Sequence, residues 1–202
     1  MYVLDHGSFT GIRIGIALLK GLCFEKNIEI IEMTSLENIF EIGLEKDMNN
    51  MIYLSIIYAN NDQIYMGAYD NSFSDKGRKI VECAGNIEEC LEELYFKLNV
   101  NEYDLKKFNY NFMVIYDKDT KDQGKNLINT LKEKIEGKIP GVEVEFKEVI
   151  VDNRGFEKKI QDINNEKYIL KNSEIKKEYE IMPNYLKKSQ AKRLLENKMK
   201  NL

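Results

Sequence analysis

The chain has no tryptophan, one histidine, two prolines and three cysteines in 202 residues. One histidine leaves little room for imidazole chemistry. His6 stands beside Asp5 and near Ser8, but a Ser-His-Asp site is made by convergence in space, and three residues within one turn do not converge. The nucleophile elbow GxSxG is absent. His6 with scattered carboxylates gives no metal-ligand spacing. Cys23, Cys83 and Cys90 are odd in number and lack metal-type spacing, which points to a reduced, cytoplasmic setting. No stretch reaches the eighteen or so apolar residues of a membrane span. The run Ile14 to Leu19 is closed in by Arg13 and Lys20, unlike a signal peptide. Charge of one sign is also lacking: 30 basic and 34 acidic residues give a net −4, with no whole-chain pull toward nucleic acid or membrane. The scarcity of proline beside abundant Ile, Lys, Asn and Glu reads as codon bias, not as a fold signal.

What is present is a 43% apolar share, enough for a core, and a distinctive N-terminal run. Tyr2-Val3-Leu4 reads as a strand. His6-Gly7-Ser8-Phe9-Thr10-Gly11 then turns into a helix expected to end near Cys23. Gly7 suits a sharp turn, and Ser8 or Thr10 can cap the helix. Gly11, Gly15 and Leu19 recur at four-residue spacing, and Ala17 with Gly21 makes a second small pair. Each interior glycine costs a helix roughly 1 kcal/mol against alanine, so close backbone approach by something is implied. Three readings stay open: a structural turn with tight packing, a partner-facing helix, or phosphate held at the helix start. The last lacks its usual sequence, since neither GxxxxGK[ST] nor GxGxxG occurs.

Further along, Ile28 to Met33 reads as a strand, and Thr34-Ser35-Leu36-Glu37 matches a capping box opening a helix to about Lys46. This alternation suits a parallel sheet with covering helices. A polar break at 47–50 divides the chain into residues 1–48, a partial first lobe, and 49–202, a second lobe with a basic tail. In the second, Met51–Tyr58 and Gln63–Tyr69 flank Asn-Asn-Asp turn chemistry and form a hairpin. A strand Arg78–Cys83, a helix Ile87–Leu98, a strand Tyr110–Tyr116, a helix Lys121–Gly137, a strand Val142–Val151 and a helix Phe156–Ile163 follow. Glu88, Glu89, Glu92 and Glu93 read as a solvated helix face. Lys187 to Lys200 carries six basic residues and one acidic, Glu196. Such a run could meet RNA phosphates, though a solvated helix face is the plainer account.

Four blocks, in order, resemble one family. Gly7-Ser-Phe-Thr-Gly-Ile-Arg-Ile-Gly-Ile-Ala-Leu-Leu-Lys-Gly-Leu22 is similar to the TsaB (YeaZ) signature GPGSFTGLRIGLAxAKGL. Thr34-Ser-Leu-Glu-Asn-Ile39 resembles SSLEAL, Gln63 to Tyr69 resembles EVYxAxY, and Pro183 to Ala191 resembles PxYLRxSxA. The resemblance implies an α/β protein of the actin-like, sugar-kinase-like (ASKHA) fold with an incomplete first lobe and a complete second one. It implies a cytoplasmic, non-catalytic subunit of the complex that attaches threonylcarbamoyl to adenosine in the anticodon loop of tRNA. The partners implied are a TsaD-like catalytic subunit and a TsaE-like ATPase, with a homodimer when alone, tRNA reached only through the complex, and no membrane. The implied association surface is Gly7, Ser8, Phe9, Thr10, Gly11, Arg13, Gly15 and Leu19. No cofactor is expected on this chain alone; ATP and a divalent metal belong to the catalytic partner. The peptidase label attached to the family finds no protease site in these residues.

Departures from the family pattern are as informative. Asp5-His6-Gly7 stands where GPG is usual, and Tyr58-Ala59-Asn60 where DAR is usual. Family members carry a three-stranded meander opening on a DTS-like segment, and a helix, ahead of the turn; the expectation is that this chain lacks them and exposes apolar surface or self-associates. A self-contained ATP-binding enzyme of the same superfold is the alternative function.

Overall fold

The computed structural model describes residues 2–3, 9–26, 30–45, 50–60, 63–70, 78–100, 110–118, 120, 126–164 and 175–176. Its elements run β1 (Tyr2–Val3), α1 (Phe9–Cys23), β2 (Ile30–Met33), α2 (Ser35–Gly43), β3 (Met51–Asn60), β4 (Gln63–Asp70), β5 (Arg78–Asn86), α3 (Ile87–Val100), β6 (Asn111–Asp117), α4 (Leu127–Lys138), β7 (Val144–Val149), α5 (Arg154–Asn164) and β8 (Ile175–Lys176). The basic tail, with the block Pro183 to Ala191, lies outside the described residues, as do Gly7 and Ser8.

The main sheet has the order β5-β4-β3-β6-β7. β3, β4 and β5 form an antiparallel meander, and β6 and β7 add to β3 in parallel. β3 is therefore the hub, and its sequence shows why. Residues 51–56 are buried on both faces, as a central strand of a sheet covered on both sides requires. Ile52, Leu54 and Ile56 turn to one side and pack with Leu94 of α3 and Leu131 of α4. Met51 and Tyr53 turn to the other and pack with Leu36, Ile39 and Phe40 of α2. The mixed sheet is thus covered on both faces. α2, the last element before residue 49, lies against this sheet and packs on α5.

The expected hairpin is present, with Tyr53 opposite Tyr69 and Ser55 opposite Gly67. A Cβ on Gly67 would meet the Tyr69 ring at 2.6–2.9 Å, so that ring lies over the glycine. Phe40 stacks on Tyr69 with centroids 4.6 Å apart and meets Tyr53 edge-on at 5.4 Å. Such ring pairs add about 0.5–1.5 kcal/mol beyond area burial.

Several boundaries differ from expectation for local reasons. β5 runs on to Asn86 because β4 pairs with it as far as Gln63. It passes directly into α3 through a capping box that the sequence reading missed. The Glu89 amide donates to Asn86 Oδ1 (2.9 Å), and the Asn86 amide to Glu89 Oε2 (3.1 Å). Glu89 is thus a cap, and Glu88 pairs with Lys134 at 2.7 Å, on an acidic face that is exposed throughout as expected. β7 stops at Val149 because its partner β6 ends opposite it at Asp117, leaving Ile150 and Val151 exposed. α2 ends at Gly43, whose carbonyl accepts from Lys147 Nζ at 3.0 Å. A lysine at a helix C-terminus also suits the helix dipole.

A second, smaller sheet has the order β1-β2-β8. β1 and β2 are parallel, joined through α1, and β8 is antiparallel to β2. Its core is small: Ile12, Ile16 and Cys23 of α1 with Ile30 of β2, and Leu19 packed alongside. No helix among the described residues is long and apolar enough to cross a membrane.

Candidate functional site

α1 is apolar on both sides, and among the described residues only one side is packed. At ~100° per residue, Ile12, Ile16, Leu19 and Cys23 share the face that packs on β2. The opposite face carries Gly11, Ile14, Leu18, Gly21 and Leu22. Ile14 and Leu18 are each 63% exposed and Leu22 is 55% exposed. Phe24, just past the helix end, is exposed as well. A Cβ built on Gly21 meets no described atom within 4 Å. No described residue therefore makes use of the smallness of Gly21, although glycine costs a helix about 1 kcal/mol.

Of the residues singled out from sequence, Gly11 and Arg13 are exposed and Gly15 is half-buried at the border of the two faces. Leu19 sits past that border, against the small core. The row Gly11–Gly15–Leu19 drifts ~40° at each four-residue step, so it runs from the outer face to the inner one. Phe9 and Thr10 open the helix. The sequence reading missed Ile14, Leu18 and Leu22. Their i, i+4, i+8 spacing was there to find, but a helix apolar all round reads as buried until the sheet shows which side is covered.

A polar assembly lies at the other end of β2, where it enters α2. Thr34 is the N-cap of α2: its Oγ1 accepts from the Glu37 amide (3.1 Å) and donates to Glu82 Oε1 of β5 (2.6 Å). The Tyr69 hydroxyl donates to the same Glu82 oxygen at 2.8 Å, and Lys79 Nζ approaches Oε2 at 3.3 Å. The Glu82 side chain is 4% exposed. Burial first, and then the charges of Glu82 and Glu37, hold the Tyr69 phenol well above its usual range. The expected capping box is half made, because the Glu37 carboxylate is engaged by the buried Lys159 at 2.5 Å. On the far side of α2, Asn38 Nδ2 donates to the Asp152 carbonyl (2.8 Å) and Lys158 Nζ to the Glu41 carbonyl (2.7 Å).

Cys23, Cys83 and Cys90 are free and buried. A hydrogen bond with Cys90, and then burial, push the Cys83 thiol up. Among the described residues no three or more His, Cys, Asp or Glu gather to hold a metal ion.

No family model and no curated protein matches this chain. Solved structures do. A crystal structure from Pseudomonas aeruginosa, described as an uncharacterized protein with similarity to peptidase YeaZ, aligns with TM-score 0.55 at 14% identity over 92% of this chain and 71% of its own. YeaZ from Pseudomonas aeruginosa aligns with TM-score 0.52, again at 14% identity, over 91% of this chain and 72% of its own. The chain has a YeaZ-like fold. Of the four sequence blocks, the first includes α1, the second opens α2 and the third is β4.

Proposed function

We propose that this chain is a non-catalytic partner subunit of the machinery that attaches threonylcarbamoyl to adenosine in the tRNA anticodon loop, docking on a TsaD-like catalytic subunit through the outer face of α1. The observation that carries the proposal is that face: Ile14, Leu18 and Leu22 stand exposed beside Gly21, around which the described residues leave open space. Burying one such side chain gains about 1.5–3 kcal/mol, and a bare glycine lets a second backbone come close. The YeaZ-like fold, with the sequence blocks that resemble TsaB, is what favours a TsaD-like partner in this reading. In this proposal the run β3 to α5 is the complete second lobe of an actin-like fold. ATP, a divalent metal and a TsaE-like ATPase act on the catalytic partner, and two copies of this chain share the same face when the partner is absent.

The test is co-purification with the TsaD-like subunit, with a thermal melt of the isolated chain beside it. Gly21→Leu and Leu18→Glu are each expected to weaken pairing at least about tenfold, equivalent to ~1.4 kcal/mol. At concentrations low enough to keep the isolated chain monomeric, neither should lower its melting temperature, because no described residue packs on either position. Full pairing by both variants removes the outer face of α1 from the proposal.

A further inference from the structure

The two sheets of this protein are separate, with no strand pairing between them among the described residues. Their cores are separate too: Ile12, Ile16, Cys23 and Ile30 form one cluster, and the large sheet is lined by two others. The chain passes from the small sheet to the large one in a single residue between elements, and returns to the small sheet after α5 by a longer crossing to β8. β2 ends at Met33, α2 begins at Ser35, and Thr34 stands between them in extended backbone, φ −80° and ψ 161°.

Thr34 is held from two directions by one oxygen. Accepting from the Glu37 amide fixes the first turn of α2. Donating to Glu82 Oε1 ties the same hydroxyl to β5. Glu82 is held in turn by Tyr69 and Lys79. Tyr69 keeps its place because Gly67 leaves room for its ring and Phe40 stacks on it. α2 itself is firmly seated on the large sheet through Leu36, Ile39 and Phe40. The backbone angles of an N-cap set the direction in which the chain leaves a helix, so whatever fixes Thr34 fixes the direction of β2.

We infer that Thr34 is the hinge between the small α1–β2 unit and the large sheet, and that the buried Glu82 carboxylate is the pin that locks it. With the pin in place, the unit that carries α1 is presented at one angle. Without it, the Thr34 torsions are set by the cap alone, and the unit turns over a range of angles while the large sheet stays folded. The hinge stands independently of what docks on α1; only its use in presenting that face rests on the proposed partner role.

Spin labels at Lys26→Cys, just past α1, and Glu133→Cys, on the exposed side of α4, measure the angle as a distance distribution. The native thiols are buried, so labelling falls on the introduced ones, and dilution with unlabelled chain removes any signal between copies. The reference variant Thr34→Ser keeps both hydroxyl bonds and is expected to give one narrow peak. Thr34→Val removes both bonds. Glu82→Met removes the pin and leaves the Thr34 cap on α2 intact. Both are expected to give broad or multiple distances with unchanged circular dichroism. Should Thr34→Val fail to fold, Glu82→Met carries the test. Distributions as narrow in Glu82→Met as in Thr34→Ser overturn the proposal, whether or not the chain pairs with any partner.

Discussion

Tyr69 shows how one residue serves the fold and the junction at once. Its ring fills the space over Gly67 and stacks on Phe40, while its hydroxyl supports Glu82. Burial and the neighbouring carboxylates raise its pKa, so folding favours the neutral phenol. The stabilisation is whole below the ordinary tyrosine value of about 10. It fades as pH rises from there through the higher value of the folded state, because the unfolded chain then loses its proton first. Tyr69→Phe carries no such proton. Its urea midpoint is expected to fall less steeply than that of the unsubstituted protein between about pH 10 and 11. Equal slopes would show that other groups account for the alkaline loss.

At the scale of elements, α2 is the most heavily tied helix described. Contacts through Thr34, Lys159, Asn38, Lys158 and Lys147 fasten it along its length, all five to other elements or the turns beside them. The tightest point is its crossing with α5. A Cβ on Gly155 would collide with Asn38 Oδ1 and come within 2.5 Å of the Asn38 carbonyl oxygen. One of those atoms is backbone, so the helices must separate. Gly155→Ala is expected to destabilise by about 1–3 kcal/mol in urea titration, whereas Gly137→Ala, with open space around its Cβ, should be neutral or slightly stabilising. A Gly155→Ala variant as stable as the parent would contradict the close crossing.

Much at this scale was legible in the sequence. The Asn-Asn-Asp turn between two β-rich runs gave the β3–β4 hairpin, and the apolar period after Ile87 gave α3. Thr34 was legible as a cap because it precedes a helical apolar pattern at the right offset. Glu82 was not legible as its partner, since 48 residues separate them and no local period links a strand residue to a distant helix start. The outer face of α1 was hidden for a related reason. Glycine spacing can be read along a chain, but which flank of an all-apolar helix is covered depends on where the neighbouring strand lies.

At the scale of the whole molecule, the two units are unequal. Among the described residues the small core has four buried apolar side chains, and one of the two clusters lining the large sheet includes residues from five strands and two helices. Few buried contacts mean a low cost of local opening. Amides in the middle of α1 are therefore expected to exchange with deuterium well before those of β3 and β4 in the same native protein. Simultaneous exchange of the two regions would show that they open as one body.

The weakness of that four-residue core has a thermodynamic consequence. A ligand that binds only the ordered form of a segment stabilises it in proportion to the logarithm of its own concentration. For α1, association and local ordering are then a single equilibrium. Anything that steadies the segment beforehand raises the apparent affinity of its partner, even from a position the partner never touches.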